Sequence, residues 1–221
     1  PVSGLPVGEI PAASDRDVDA ALAAASRGFA VWRDVAAWDR SRVLRRAADL
    51  MRDRVDHIAR LISTETGKPL AESHAETMAA ADQFEWYGEE AKRIYGQTIP
   101  GRHGKERLSV IYQPVGICVA LSAWNFPALL PARKIAAALA AGCAVIARPA
   151  SEAPGACLAI GAALLDAGLL PGALSILTGA ARPIAEQLIS APQVRKVSLT
   201  GSVPVGKQII EMRARGVKKV T

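Results

Sequence analysis

From Val115 onward the chain alternates short apolar runs with helical stretches, and this rhythm restricts the fold more than any other feature. Strands are read at 115–121, 143–147, 174–177 and 195–199, with a weaker fifth candidate at 217–221. Helices at 127–141, 154–167, 182–190 and 203–214 fill the gaps. Strands separated by single helices require right-handed βαβ crossovers and hence a parallel sheet. The strands are almost continuously apolar, which fits a sheet covered on both faces. Ala167-Gly168 and Pro171-Gly172 supply the stops and turns between elements.

The upstream half reads as helical. Ser14-Asp15 caps a first helix carrying Val18, Ala21, Leu22 and Ala25 on one face. A second helix follows Asp39, with Val43, Leu44, Ala47, Leu50 and Met51 aligned. Gly67-Lys68-Pro69 breaks the pattern, and a third helix is read over 70–95. Pro100 to Gly104 reads as a loop, and 107–113 alternates as a strand through Leu108, Val110 and Tyr112.

Composition sets limits on function. Half of the 221 residues are apolar and 22% are charged, as in an ordinary soluble globular chain. The longest apolar run, Ile135 to Ala147, is too short to span a bilayer, so no membrane segment is expected. The opening PVSGLPVGEIP carries no secretory signal, and with no initiating Met the true start is expected upstream. Cys118, Cys143 and Cys157 share no metal-like spacing and lie in apolar runs. They are expected to be buried free thiols in a reducing cytoplasm. The net charge is +6, but the basic residues are scattered. The densest group, Lys207, Arg213, Arg215, Lys218 and Lys219, is not interleaved with aromatics, which argues against nucleic-acid binding. The chain stops at Thr221 inside an apparent strand, so truncation is expected.

Three polar loops follow three of the strands and should line one edge of the sheet, at the strands' carboxyl ends. They are Ser122-Ala123-Trp124-Asn125, Arg148 to Pro154, and Thr200 to Gly206. Pro127 biases Phe126 toward extended backbone and suits a first helical turn, which leaves Asn125 on the loop. A primary amide there can aim two N–H donors at a developing oxyanion. The competing reading is an Asn that caps its own backbone. Gly201 to Lys207 mimics a phosphate-binding P-loop, but Gln208 replaces the hydroxyl needed for magnesium and Pro204 removes a backbone donor. Gly201-Ser202 at a helix N-terminus can still receive a phosphate. The G-x-G-x-x-G fingerprint is absent.

W-N-F-P, A-A-L-A-A-G-C-A-V-I-A-R-P-A-S-E-A-P and L-T-G-S-x-x-x-G together resemble the aldehyde dehydrogenase superfamily. E-T-G-K-P at Glu65 to Pro69 and Q-P-V-G at Gln113 to Gly116 extend the likeness along essentially the whole chain. The closest look is to succinate-semialdehyde dehydrogenases, which share P-A-S and the Arg133-Lys134 pair. The resemblance implies an α/β fold: an N-terminal helical segment, then a parallel Rossmann-like sheet, as a truncated aldehyde dehydrogenase fold. Residues 1–105 would be the helical part of the cofactor-binding domain, 106–114 a strand of an oligomerisation arm, and 115–221 the sheet. It implies oxidation of a small, carboxylate-bearing aldehyde with NADP or NAD, by a cytoplasmic homo-oligomer.

The same resemblance implies roles at matching positions. Asn125 would be the side-chain half of the oxyanion hole. Trp124, Gly201 and Ser202 would line the cofactor pyrophosphate, and Ser122 is counted with the cofactor contacts. Arg148 stands where the family usually has a Lys holding the adenosine ribose. Ser151 stands where NAD-preferring members often carry Glu, so the pair points to NADP unless Glu152 takes over the ribose. Arg133 would grip the substrate carboxylate; its bland reading is a solvent-facing helix cation. The family's nucleophilic Cys and general-base Glu belong in segments beyond Thr221, so the chain alone is expected to be inactive. The alternative is a non-catalytic nucleotide-binding module complete at this length.

Overall fold

The structure is a computed structural model describing residues 4–214 and 216–221. Four helices come first: α1 (Asp15–Trp32), α2 (Ala37–Asp53), α3 (Val55–Thr66) and α4 (Leu70–Ala91). A hairpin of β1 (Gln97–Pro100) and β2 (Arg107–Val110) follows. Then β3 (Ile117–Leu121), β4 (Ala144–Arg148), β5 (Leu174–Ile176), β6 (Val194–Leu199) and β7 (Lys219–Val220) alternate with α5 (Leu129–Ala140), α6 (Gly155–Asp166), α7 (Ala181–Ser190) and α8 (Val203–Ala214). The five strands are all parallel, in the order β5-β4-β3-β6-β7. The ends of the sheet's strands and helices fall within two residues of the sequence reading.

Three local expectations need correction. The helix read after Asp39 is two helices, α2 starting at Ala37 and α3 at Val55, joined through Arg54 at φ −104°, ψ 17°. No breaker marks that joint. Both helices lie against α4 and α6, and Arg54 is tied to Asp166 at 2.6 Å, so packing sets the bend. The third predicted helix ends at Ala91 rather than Tyr95, because the chain must turn into β1. The strand read at 107–113 stops at Val110, and its partner β1 was not foreseen. All eight hairpin residues are exposed, so no buried face imposes a pattern on them.

Strand residues alternate between two apolar layers. Ile117, Val119 and Leu121 of β3, with Ile146 and Val197, pack under α1, α7 and α8. Ala120, Val145 and Ala147 face the other way, against Phe84, Ile135, Leu139, Ile160 and Leu164. Helix α1 begins at a capping box, with the Asp17 N–H donating to Ser14 Oγ and the Ser14 N–H to the Asp17 carboxylate. Its inner face meets the turn before β5 so closely that Gly28 lies against the backbone of Gly172, itself at φ +83°.

Helices α5 and α6 have no side-chain N-caps of their own. Carboxylates from the N-terminal helices supply them. Glu76 Oε1 accepts from the Ala128 and Leu129 N–H groups at 2.8 and 3.2 Å, and the Glu65 carboxylate accepts from Gly155 N–H at 3.0 Å. At the far end of α5, Trp32 Nε1 donates to Leu139 O at 3.0 Å and Arg40 Nε to Ala140 O at 3.1 Å. Anions at the helix start and a cation at its end match the helix dipole. Among the described residues, no helix is long and apolar enough to cross a membrane.

Two outcomes are expected. A methyl group added at Gly28 would lie 2.1 Å from the Gly172 carbonyl carbon. Gly28→Ala should therefore lose about 1–3 kcal/mol in urea unfolding, as overpacking usually does, and an unchanged midpoint would contradict this contact. Burial raises the Glu65 carboxyl above its ordinary value, with the Gly155 hydrogen bond opposing. A raised folded value means that the ionised form opposes folding, so this group's contribution improves as pH falls from neutrality toward the ordinary value of 4.5. Glu65→Gln should be at least as stable as the parent at pH 8, with the difference vanishing below pH 4.5. A difference that instead grows on acidification would overturn this sign.

Candidate functional site

The chain builds from β3 out to β5 on one side, then returns to place β6 and β7 on the other. This reversal makes β3/β6 the switch point, where two successive loops part and leave a crevice at the carboxyl ends of the strands. A cavity of about 260 Å³ opens there. Its polar lining comes from Ser122, Arg148, Glu152, Arg182, Thr200 and Gln208, with Trp124 and Gly201 beside them, and its apolar wall from residues such as Ala185, Leu199, Ile209 and Met212. The loops are pinned by main-chain bonds, from Thr200 N–H to Leu121 O at 3.0 Å and from Ser122 N–H to Arg148 O at 3.4 Å.

Arg148 is 8% exposed, and its Nη2 donates to Gly179 O at 2.8 Å and to Ser151 Oγ. Ser151 Oγ in turn donates to Gly179 O at 3.3 Å. Burial lowers the Arg148 guanidinium from its ordinary value, with Glu152 opposing. Two buried atoms of cavity-lining residues, Ser122 Oγ and Arg148 Nε, have no hydrogen-bond partner among the described residues. Buried polar atoms are rarely left so, and a polar ligand in the cavity would satisfy them. Gly201 lines the same cavity two residues before α8 begins, and a helix N-terminus there suits a phosphate-bearing ligand.

The structure brings Ser122, Trp124, Arg148 and Gly201 together around this cavity. Ser151 is exposed and lines a neighbouring groove shared with His57, Arg60 and Thr64. Ser202 is exposed just ahead of α8, and its carbonyl accepts from Gly206 N–H at 2.9 Å. Asn125 is exposed on the loop beside Trp124, outside the cavity lining. Arg133 is exposed on α5 and lines a second cavity of about 350 Å³, on the opposite face of the sheet, with Tyr87, Lys134 and Lys196.

Lys134 Nζ donates to Thr200 Oγ1 at 2.6 Å and to Leu130 O at 3.2 Å, bracing α5 against the loop after β6. Burial brings this lysine down to about 8, with the Arg133 charge adding to the effect. All three cysteines are free and buried. Burial raises Cys157 to about 12. Cys118 and Cys143 are paired: the Cys118 thiol is pushed up and the Cys143 thiol down, because Cys118 hydrogen-bonds to Cys143. Cys143 therefore departs from the wholly apolar setting expected of it.

Sequence reasoning assigned no role to Lys68, Glu76, Lys134 or Thr200. Lys68 lies in the E-T-G-K-P segment, a signal for its importance but not for its partner. Glu76 carries no signal: it reads as a solvated helix carboxylate, yet it is 4% exposed.

Known proteins are similar to this chain in both fold and sequence. The profile of the Aldehyde dehydrogenase family matches residues 1–221. The chain is 42% identical over 221 residues to the NADP(+) succinate-semialdehyde dehydrogenase of Escherichia coli (strain K12), covering 100% of this chain and 46% of that protein. It is 43% identical to a glutarate-semialdehyde dehydrogenase of Pseudomonas putida, with the same coverage. The crystal structure of succinate-semialdehyde dehydrogenase from Burkholderia pseudomallei superimposes with a TM-score of 0.98 at 39% identity, covering 100% of this chain and 46% of that one. The chain thus spans about half the length of the curated relatives it matches. A parallel sheet with a cavity at the switch point, matched end to end by this profile, places the chain in the aldehyde dehydrogenase family.

Proposed function

We propose that the whole protein oxidises a small aldehyde bearing a carboxylate to its acid, with a nicotinamide dinucleotide held in the cavity at the β3/β6 switch point. The observation that carries this reading is the convergence of the loops after β3, β4 and β6 on one cavity holding two orphaned polar atoms. The semialdehyde dehydrogenases among the relatives support the substrate class. When bound, the cofactor accepts hydride. Gly201 and Ser202 receive its pyrophosphate at the start of α8, and Trp124 and Ser122 line its path.

Asn125 serves the reaction by donating side-chain N–H groups to the oxygen of the attacked carbonyl, where negative charge develops. Arg133 holds the substrate carboxylate from the other face of the sheet, and the cations at Lys134 and Lys196 beside it favour an anionic substrate. Arg148 and Ser151 read the adenosine ribose, and a neutral Ser151 beside a guanidinium accommodates a 2′-phosphate. Glu152, which lines the cavity, is the counterweight toward NAD. NADP use is therefore proposed, with NAD tolerated. The exposed Ile99, Leu108 and Val110 of the hairpin offer a surface to a second copy of the protein, and buried free thiols suit a cytoplasmic setting.

Two measurements on the whole protein test this. Asn125→Ala should lower kcat by about 10²–10³ while leaving cofactor affinity nearly unchanged, as loss of one oxyanion donor does. Lost cofactor binding with kcat preserved at saturation would make Asn125 structural. Ser151→Glu should shift kcat/KM from NADP toward NAD by about tenfold or more, through repulsion of the phosphate. An unchanged ratio would remove this position from cofactor choice.

A further inference from the structure

The loop bearing Asn125 is held from below by a part-buried ion pair from the N-terminal helical segment. Lys68, in the turn between α3 and α4, sends Nζ to the main-chain oxygen of Asn125 at 2.8 Å and to Glu76 Oε2. The same ammonium stands over the Phe126 ring, 4.1 Å from its centroid. A protonated lysine has three donors and no acceptor, and these three partners account for them. The other Glu76 oxygen holds the Ala128 and Leu129 N–H groups. Residues on both sides of Pro127 are thus tied to one salt bridge whose side chains are 14% and 1% exposed.

We propose that Lys68 and Glu76 are positioning residues which fix the backbone of the 124–129 loop and thereby aim the Asn125 amide. The loop needs such a device: Trp124, Asn125 and Phe126 are all exposed, and α5 has no side-chain cap of its own. Lys68 grips the Asn125 carbonyl and leaves the side-chain amide free, so it sets where the amide sits without changing its chemistry. Glu76 is nearly sealed from solvent, so loss of Lys68 leaves an uncompensated carboxylate under the loop. Displacements on the order of 1 Å at a catalytic group can cost about 10²-fold in rate, so a small loosening here is measurable.

The aiming role rests on the proposed function of Asn125, whereas the clamp itself does not, and the test separates them. In the whole protein, Lys68→Met should raise amide hydrogen exchange at Ala128 and Leu129 by about tenfold or more, the N–H groups that Glu76 holds. It should also lower kcat by about tenfold or more with the KM for cofactor within about twofold, a loss absent when Asn125 is already Ala. Lys68→Arg retains the charge but not the compact ammonium, and should recover most of the protection and part of the rate; it also serves if the Met variant fails to fold. Native protection at Ala128 and Leu129 in a folded Lys68→Met protein would overturn the clamp. Raised exchange with full kcat, or a rate loss equally large in the Asn125→Ala background, would overturn the aiming role. A fully active Asn125→Ala protein would refute the oxyanion reading and the aiming role with it, while exchange alone would still decide the clamp.

Discussion

Glu76, nearly sealed from solvent in α4, holds the first N–H groups of α5, while Trp32 and Arg40 hold the last carbonyls of the same helix. An α-helix leaves four donors and four acceptors unpaired at its ends, and α5 brings no cap of its own. Its position is thus set by groups from α1, α2 and α4, matched in sign to its dipole. Helix α5 leads out of β3, the central strand of the sheet, so this fixes the loop between them. Glu65 does the same for α6 after β4. The N-terminal helices therefore position two of the three loops that meet at the cavity.

The cavity itself follows from topology. Strand β3 has its sequence successor β4 on one side and the later β6 on the other, so the loops leaving β3 and β6 diverge. Residues of α7 and α8 wall the space between them, and Ser122 and Arg148 line it. Lys134, brought down to about 8 by burial, ties α5 to Thr200 and links the two faces of the sheet edge. The cavity on the α8 face, lined by Thr200, and the cavity on the α5 face, lined by Lys134, are thereby joined through one hydrogen bond.

The parallel sheet, its five strands and four helices were legible because burial on both faces writes long apolar runs into β3 and β4, and glycines mark the turns. The hairpin was half legible: exposed residues such as Ile99 and Leu108 obey no packing pattern within this chain. The α2–α3 joint was illegible because Arg54 is an ordinary helical residue whose bend is imposed by α4 and α6. In the site, the loops after β3, β4 and β6 could be found from their prolines and glycines. Their sidedness could not, since Arg133 and the cavity around Arg148 lie on opposite faces of the sheet.

Local sequence determined which segments form strands and helices and which loops gather at the sheet's carboxyl edge, because periodicity, caps and turn residues act within a few positions. Tertiary structure alone decided which side chains serve helices other than their own. Glu76 lies 52 residues from Ala128, and Glu65 lies 90 from Gly155. A carboxylate and a distant N–H carry no mark of each other in the chain. They meet only because packing brings them together, and a group withdrawn from water must find its partner wherever the packing has placed one.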